Sequence, residues 1–142
     1  MAYREKTGWL SLIAMALTFG PYFAIVATHT IPASGLPNLR LLVVFAVAAL
    51  CQALILIAGH LYLGLRSPGE ARTPPDERDR AIMRRSISSA YYVLIAGMIL
   101  VGGVMPFNSS GWSIVNAAIL MIVIAEVVHY GVLVLCYRRH AS

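Results

Sequence analysis

The stretch LMIVIAEVVHYGVLVLCYRR, residues Leu120–Arg139, decides how the rest of the chain is read. Its one acid is Glu126 and its one imidazole is His129, a single helical turn further on. Arginine appears only at its end, as Arg138 and Arg139. About 20 apolar residues are what a helix needs to cross the hydrocarbon core of a bilayer. In that core the backbone must satisfy its own hydrogen bonds, so a run of this kind is helical.

Three more stretches have the same character: Trp9 to about Thr28, Leu41 to Leu65, and about Ile87 to Phe107. The fourth span runs from Trp112 to Tyr137. Of the 142 residues 59% are apolar, and 12% are charged, about half the ~25% usual in soluble domains. The mean hydropathy is +0.76. So few polar residues cannot cover a water-soluble globule. None of the runs shows the alternation of a membrane β-barrel. The sequence therefore predicts one all-α integral membrane domain, a four-helix bundle with spans at about 9–28, 41–65, 87–107 and 112–137. The first run has a basic start but is too long, with Tyr22 and Phe23 inside it, for a cleaved signal peptide.

Charge placement predicts orientation. Arg4 and Lys6 precede the first span. Arg66, Arg72, Arg78, Arg80, Arg84 and Arg85 lie between the second and third, and Arg138 and Arg139 follow the fourth. Arg40 alone of the eleven basic residues lies elsewhere. The positive-inside rule then places both termini and the middle loop in the cytoplasm. The net charge of +5 is thereby a topology signal, and no direct nucleic-acid binding is expected.

The loop and helix start at residues 66–86 form the one sizeable polar segment. Thr73 reads as an N-cap, Pro74 as the first helical residue and Asp76 as the acid three residues after the cap. Asp76 and Arg80 stand in i,i+4 register. Arg84 and Arg85 can snorkel to head groups. On the other side, HTIPASGLPNLR (29–40) reads as a short ordered loop and PFNSSGW (106–112) as a tight hairpin. Its Asn108-Ser109-Ser110 sequon lies too close to the membrane for efficient use.

The segment PPDERDRAIMRRSISSAYYVLIAG (74–97) and the opening YREKTGWLSLIAMALTFGPYF (3–23) resemble a family of small predicted four-helix bacterial membrane proteins of unknown function with a DERD-type cytoplasmic motif. The resemblance implies an inner-membrane protein of Gram-negative bacteria. It also implies a cytoplasmic partner, a small helix-turn-helix regulator, which would touch Asp76, Glu77, Arg78, Asp79 and Arg80. A helix cap with a solvated charged face accounts for the same five residues.

Polar groups within the spans are the candidate site. Glu126 and His129 lie about 60° apart around the helix axis, and Tyr130 lies about 40° from Glu126. Asn116 projects near Tyr130. These four predict a polar stripe facing the bundle interior or water, since a lipid-facing carboxylate costs several kcal/mol. Glu126 can carry a proton, bind a ligand, or hold helices together by hydrogen bonds. Glu-x-x-His is also a carboxylate-metal spacing in four-helix bundles, but the spans offer no further acid for a di-metal site. Gln52 and His60 lie on the second span. His60 and His129, at similar depth, can be imagined clasping haem b or a single metal, although no cofactor is expected. Gly20 and Pro21 read as a hinge, with the Leu17 carbonyl losing its helical donor. Ala96, Gly97, Gly102 and Gly103 permit close helix approach or a homo-oligomer contact.

No Walker loop, dinucleotide fingerprint, zinc-protease motif or serine-hydrolase elbow is present, and no nucleophile–base set suggests an enzyme. Three functional classes fit. The first is a membrane-embedded sensor or regulatory accessory protein. The second is a small proton-coupled transporter or channel using Glu126. The third is a haem or metal protein using His60 and His129.

Overall fold

Proline, glycine and capping residues decide where these helices start and stop. The computed structural model describes residues 3–31, 38–109 and 111–139. Its long helices are α1 (Tyr3–Ala27), α2 (Leu39–Arg66), α4 (Glu77–Ile99) and α5 (Trp112–Arg139), with a one-turn helix, α3 (Pro68–Arg72), between α2 and α4. Among the described residues there is no strand. Four helical segments are long and apolar enough to span a membrane: Tyr3–Ala27, Leu39–Arg66, Glu77–Phe107 and Trp112–Arg139. This is the architecture of a multi-pass membrane protein. Pro32, Pro37, Ser110 of the sequon and His140 lie outside the described residues.

The start of α4 corrects the cap read from sequence. Thr73 is extended and closes α3. Asp76 is the N-cap, and its carboxylate accepts the Asp79 N–H at 2.6 Å. The reason is the Pro74-Pro75 pair. A residue preceding proline is kept out of the helical region, so neither Thr73 nor Pro74 can enter the helix. Asp76 is the first residue free to cap it. Its i,i+4 partner Arg80 bonds to it through the backbone, with Arg80 N–H donating to the Asp76 carbonyl.

At its far end α4 passes into a π-helical turn, Leu100–Val104, and a 3-10 turn, Met105–Phe107. Pro106 has no N–H to give Gly102, and its ring crowds that carbonyl. The helix widens rather than continuing in α geometry. Gly102 and Gly103, in the widened turn, have nothing within 4 Å of where a Cβ would stand.

The long helices pack in the order α2–α1–α5–α4, each antiparallel to its neighbour. α2 shares no extended contact with α5 or α4, so the assembly is open along the α2/α4 side. Small residues set the three seams, as is usual between membrane helices. A Cβ on Gly8 would lie 2.9 Å from Val134 Cγ2, one on Gly59 2.4 Å from Leu10 Cδ2, and one on Gly97 2.2 Å from Met121 Cε. Gly8, Ser11, Met15, Thr18 and Tyr22 of α1 are buried. Their alternating spacing of three and four is the seam of a left-handed helix pair. On α2 only Leu41 and Ala48 are buried, while Leu50, Leu54, Ile57 and Leu61 are each more than 60% exposed. Such a surface needs lipid or another apolar chain against it.

Because neighbours are antiparallel, the starts of α1 and α4, the ends of α2 and α5, and α3 meet at one end. That end carries every basic residue except Arg40.

Candidate functional site

The polar groups of the spans fall into three places. Asn116 is buried, and its Oδ1 accepts a hydrogen bond from the Tyr22 hydroxyl at 2.6 Å. This joins α5 to α1. Tyr22 is held by an aromatic group around it, with Phe19, Phe23 and Phe45 rings 5.1–6.4 Å away. Gln52 joins α2 to α1. Thr18 Oγ1 lies 2.9 Å from the Ala14 carbonyl and 2.7 Å from Gln52 Oε1. The hydroxyl has one proton, which the Ala14 carbonyl takes. A half turn of the Gln52 amide presents its NH₂ to Thr18 and satisfies both groups. Thr18 thus serves Ala14, not the Leu17 carbonyl. α1 continues through Pro21. Gly20 and Pro21 are exposed, and Gly20 lines an open groove between α1 and α5.

Glu126, His129 and Tyr130 form the second place, and here the four residues of the stripe have different surroundings. Asn116 points toward α1, but Glu126 is exposed on the surface of the chain. It lines an open groove of about 360 Å³ between α4 and α5, with Ile87, Ala90, Tyr91, Leu94, Ala125, His129 and Tyr130. The stripe divides because α5 has neighbours on two sides only. Asn116 meets α1, whereas the face carrying Glu126 and His129 has no third helix over it.

His129 Nδ1 is buried and has no hydrogen-bond partner. Its ring meets Tyr130 edge-on, with centroids 4.7 Å apart. His60 contrasts with it. His60 is exposed, and its Nδ1 lies 2.7 Å from the Leu56 carbonyl of its own helix. α1 stands between the helices that carry the two imidazoles. Within one chain His60 and His129 are therefore not a facing pair on neighbouring helices. Among the described residues no three His, Cys, Asp or Glu side chains converge as a metal-ligand group.

The third place is at the charged end. Asp79 receives a hydrogen bond from the Tyr137 hydroxyl at 2.5 Å and an ion pair from Arg4 Nε at 3.4 Å. Helices α1, α4 and α5 meet on this one carboxylate. Nearby, Glu70 of α3 accepts the Tyr3 backbone N–H at 3.0 Å. Of the five residues read as a partner surface, Asp79 is thus turned inward, while Asp76, Glu77, Arg78 and Arg80 are exposed. The inward role of Asp79 was not legible in its motif. The available signal was indirect: antiparallel spans bring residues near 4, 79 and 137 to one end.

No protein-family model matches the chain, and neither curated proteins nor solved structures give a significant match.

Proposed function

We propose that this protein is a membrane-embedded sensor or regulatory accessory subunit of a bacterial inner membrane, with both termini cytoplasmic. In this reading its intramembrane Glu126–His129 groove is completed by a second copy of the same chain. The observation that carries the reading is the exposure of Glu126 in an apolar belt, beside a His129 Nδ1 with no partner. A carboxylate left facing lipid is costly. A two-fold axis along the membrane normal keeps depth, so it sets Glu126 against Glu126 and His129 against His129 of the other copy, and each polar pair is covered by its counterpart and not by lipid.

The groove also reaches the charged end. Ile87 lines both the groove and the basic pocket next to Asp79. Docking of the second copy at Glu126 and His129 shifts α4 against α5, and the Asp79–Tyr137 bond couples that shift to the exposed Asp76, Glu77, Arg78 and Arg80. These are the residues for a cytoplasmic regulator to read. A carrier needs a path through the membrane, whereas this groove opens sideways.

Cysteine crosslinking in native membranes tests the reading. In a background with Cys51→Ser and Cys136→Ser, Ala90→Cys in the groove gives crosslinked dimers, and Ile57→Cys on the open face of α2 does not. Adding Glu126→Gln lowers the Ala90→Cys yield. Equal yields from both positions refute pairing through the groove.

A further inference from the structure

We infer that the charged end holds a binding site for the phosphate of an anionic glycerophospholipid, built by Arg80 and Arg84 of α4 with Arg4 of α1. A pocket of about 330 Å³ is lined by Arg4, Pro75, Asp79, Arg80, Met83, Arg84 and Ile87. Arg80 and Arg84 stand one helical turn apart, so both guanidinium groups project from the same side of α4. Among the described residues neither guanidinium group has an ion-pair or hydrogen-bond partner. Arg4 reaches the pocket from α1 and is already oriented by Asp79. Three guanidinium groups against one carboxylate leave a local excess of positive charge, and the carboxylate is shared with the Tyr137 hydroxyl.

The pocket has two characters along the membrane normal. Arg4, Arg80 and Arg84 make it cationic toward the charged end, and Ile87, three residues further along α4 than Arg84, adds an apolar inner edge that is 53% exposed. A free anion uses only the first part. A phospholipid uses both, placing its phosphodiester between the guanidinium forks and its first methylenes against Ile87. Arginine suits this task because its planar fork meets phosphate oxygens two at a time. Basic pockets at the membrane surface between helices are where anionic head groups bind. Arg78 and Arg85 are exposed on α4 but do not line the pocket. They supply the control for unspecific attraction to a negative surface.

The test uses the full chain in mild detergent, with native mass spectrometry of retained lipid and thermal unfolding. Phosphatidylglycerol is expected to be retained and to raise the melting temperature, and phosphatidylcholine to do neither. Arg80→Gln/Arg84→Gln weakens phosphatidylglycerol binding by about tenfold or more, and Arg78→Gln/Arg85→Gln leaves it within about threefold. If the two double variants lose binding equally, no built site exists. Equal retention of both lipids by the unaltered protein overturns the proposal without any variant. A melting shift of the same size from inorganic phosphate shows an anion site and overturns the lipid assignment.

Discussion

The Tyr137 hydroxyl donates to Asp79 across 2.5 Å and fastens the last turns of α5 to the first turn of α4. Tyr137 is buried, with Ile82 and Leu133 packed beside it. The bond is thus sheltered on its apolar side and joined on its wet side by Arg4.

Tyr137→Phe keeps the packing and removes the bond. We expect a loss of about 1.5–3 kcal/mol, the range for hydrogen bonds to charged groups. The Arg4 contact is more exposed, at 26% and 21% for its two side chains, and Arg4→Gln should cost no more than about 1 kcal/mol. Denaturant titration in detergent measures both. A larger loss for Arg4→Gln than for Tyr137→Phe would reverse this ranking.

Gly97→Ala puts a methyl group 2.2 Å from Met121 Cε and 2.8 Å from its Cγ. The cost should be about 1–3 kcal/mol from overpacking, partly recovered in the double variant with Met121→Ala. Gly102→Ala meets nothing within 4 Å and should stay within about 0.5 kcal/mol of the original. Melting temperatures of the four proteins decide the matter.

Tyr22→Phe leaves the buried Asn116 amide without the hydroxyl it accepts from. We expect about 0.6–2 kcal/mol of destabilisation, the span measured for hydrogen bonds between membrane helices. Asn116→Leu added to Tyr22→Phe should cost little more, because both partners of one bond are then gone. Additive losses in this double-mutant cycle would mean that the two residues act separately.

Asp76→Ala removes the cap of α4 and should cost about 1 kcal/mol, with Asp76→Asn retaining most of the stability. Thr73→Ala should have a smaller effect, since Thr73 closes α3 and donates to the Gly69 carbonyl. Helix content by circular dichroism and the unfolding midpoint check this pair. A dominant Thr73 would restore the earlier helix start.

Much of the site was legible as residue types but not as pairs. Asn116, Gln52 and Glu126 stand out in the sequence because lipid penalises unpartnered polar groups. Which partner each finds depends on which helix lies alongside. Asn116 projects toward Tyr130 on its own helix, yet it bonds to Tyr22, 94 positions away in sequence. Asp79 looks like one more solvated acid in a charged helix start, but antiparallel packing carries it between Arg4 and Tyr137.

Composition and run length by themselves determined four apolar helices, because a bilayer admits few other ways to satisfy a backbone. The positions of the basic residues between those runs assigned all but Arg40 to one end, because successive spans alternate in direction. Tertiary structure alone decided that the helices pack as α2–α1–α5–α4, with Asn116 inside and Glu126 outside. Helix order is set by where small residues let two backbones approach, at Gly8, Gly59 and Gly97. A periodicity count along one helix holds no information about which side has a neighbour.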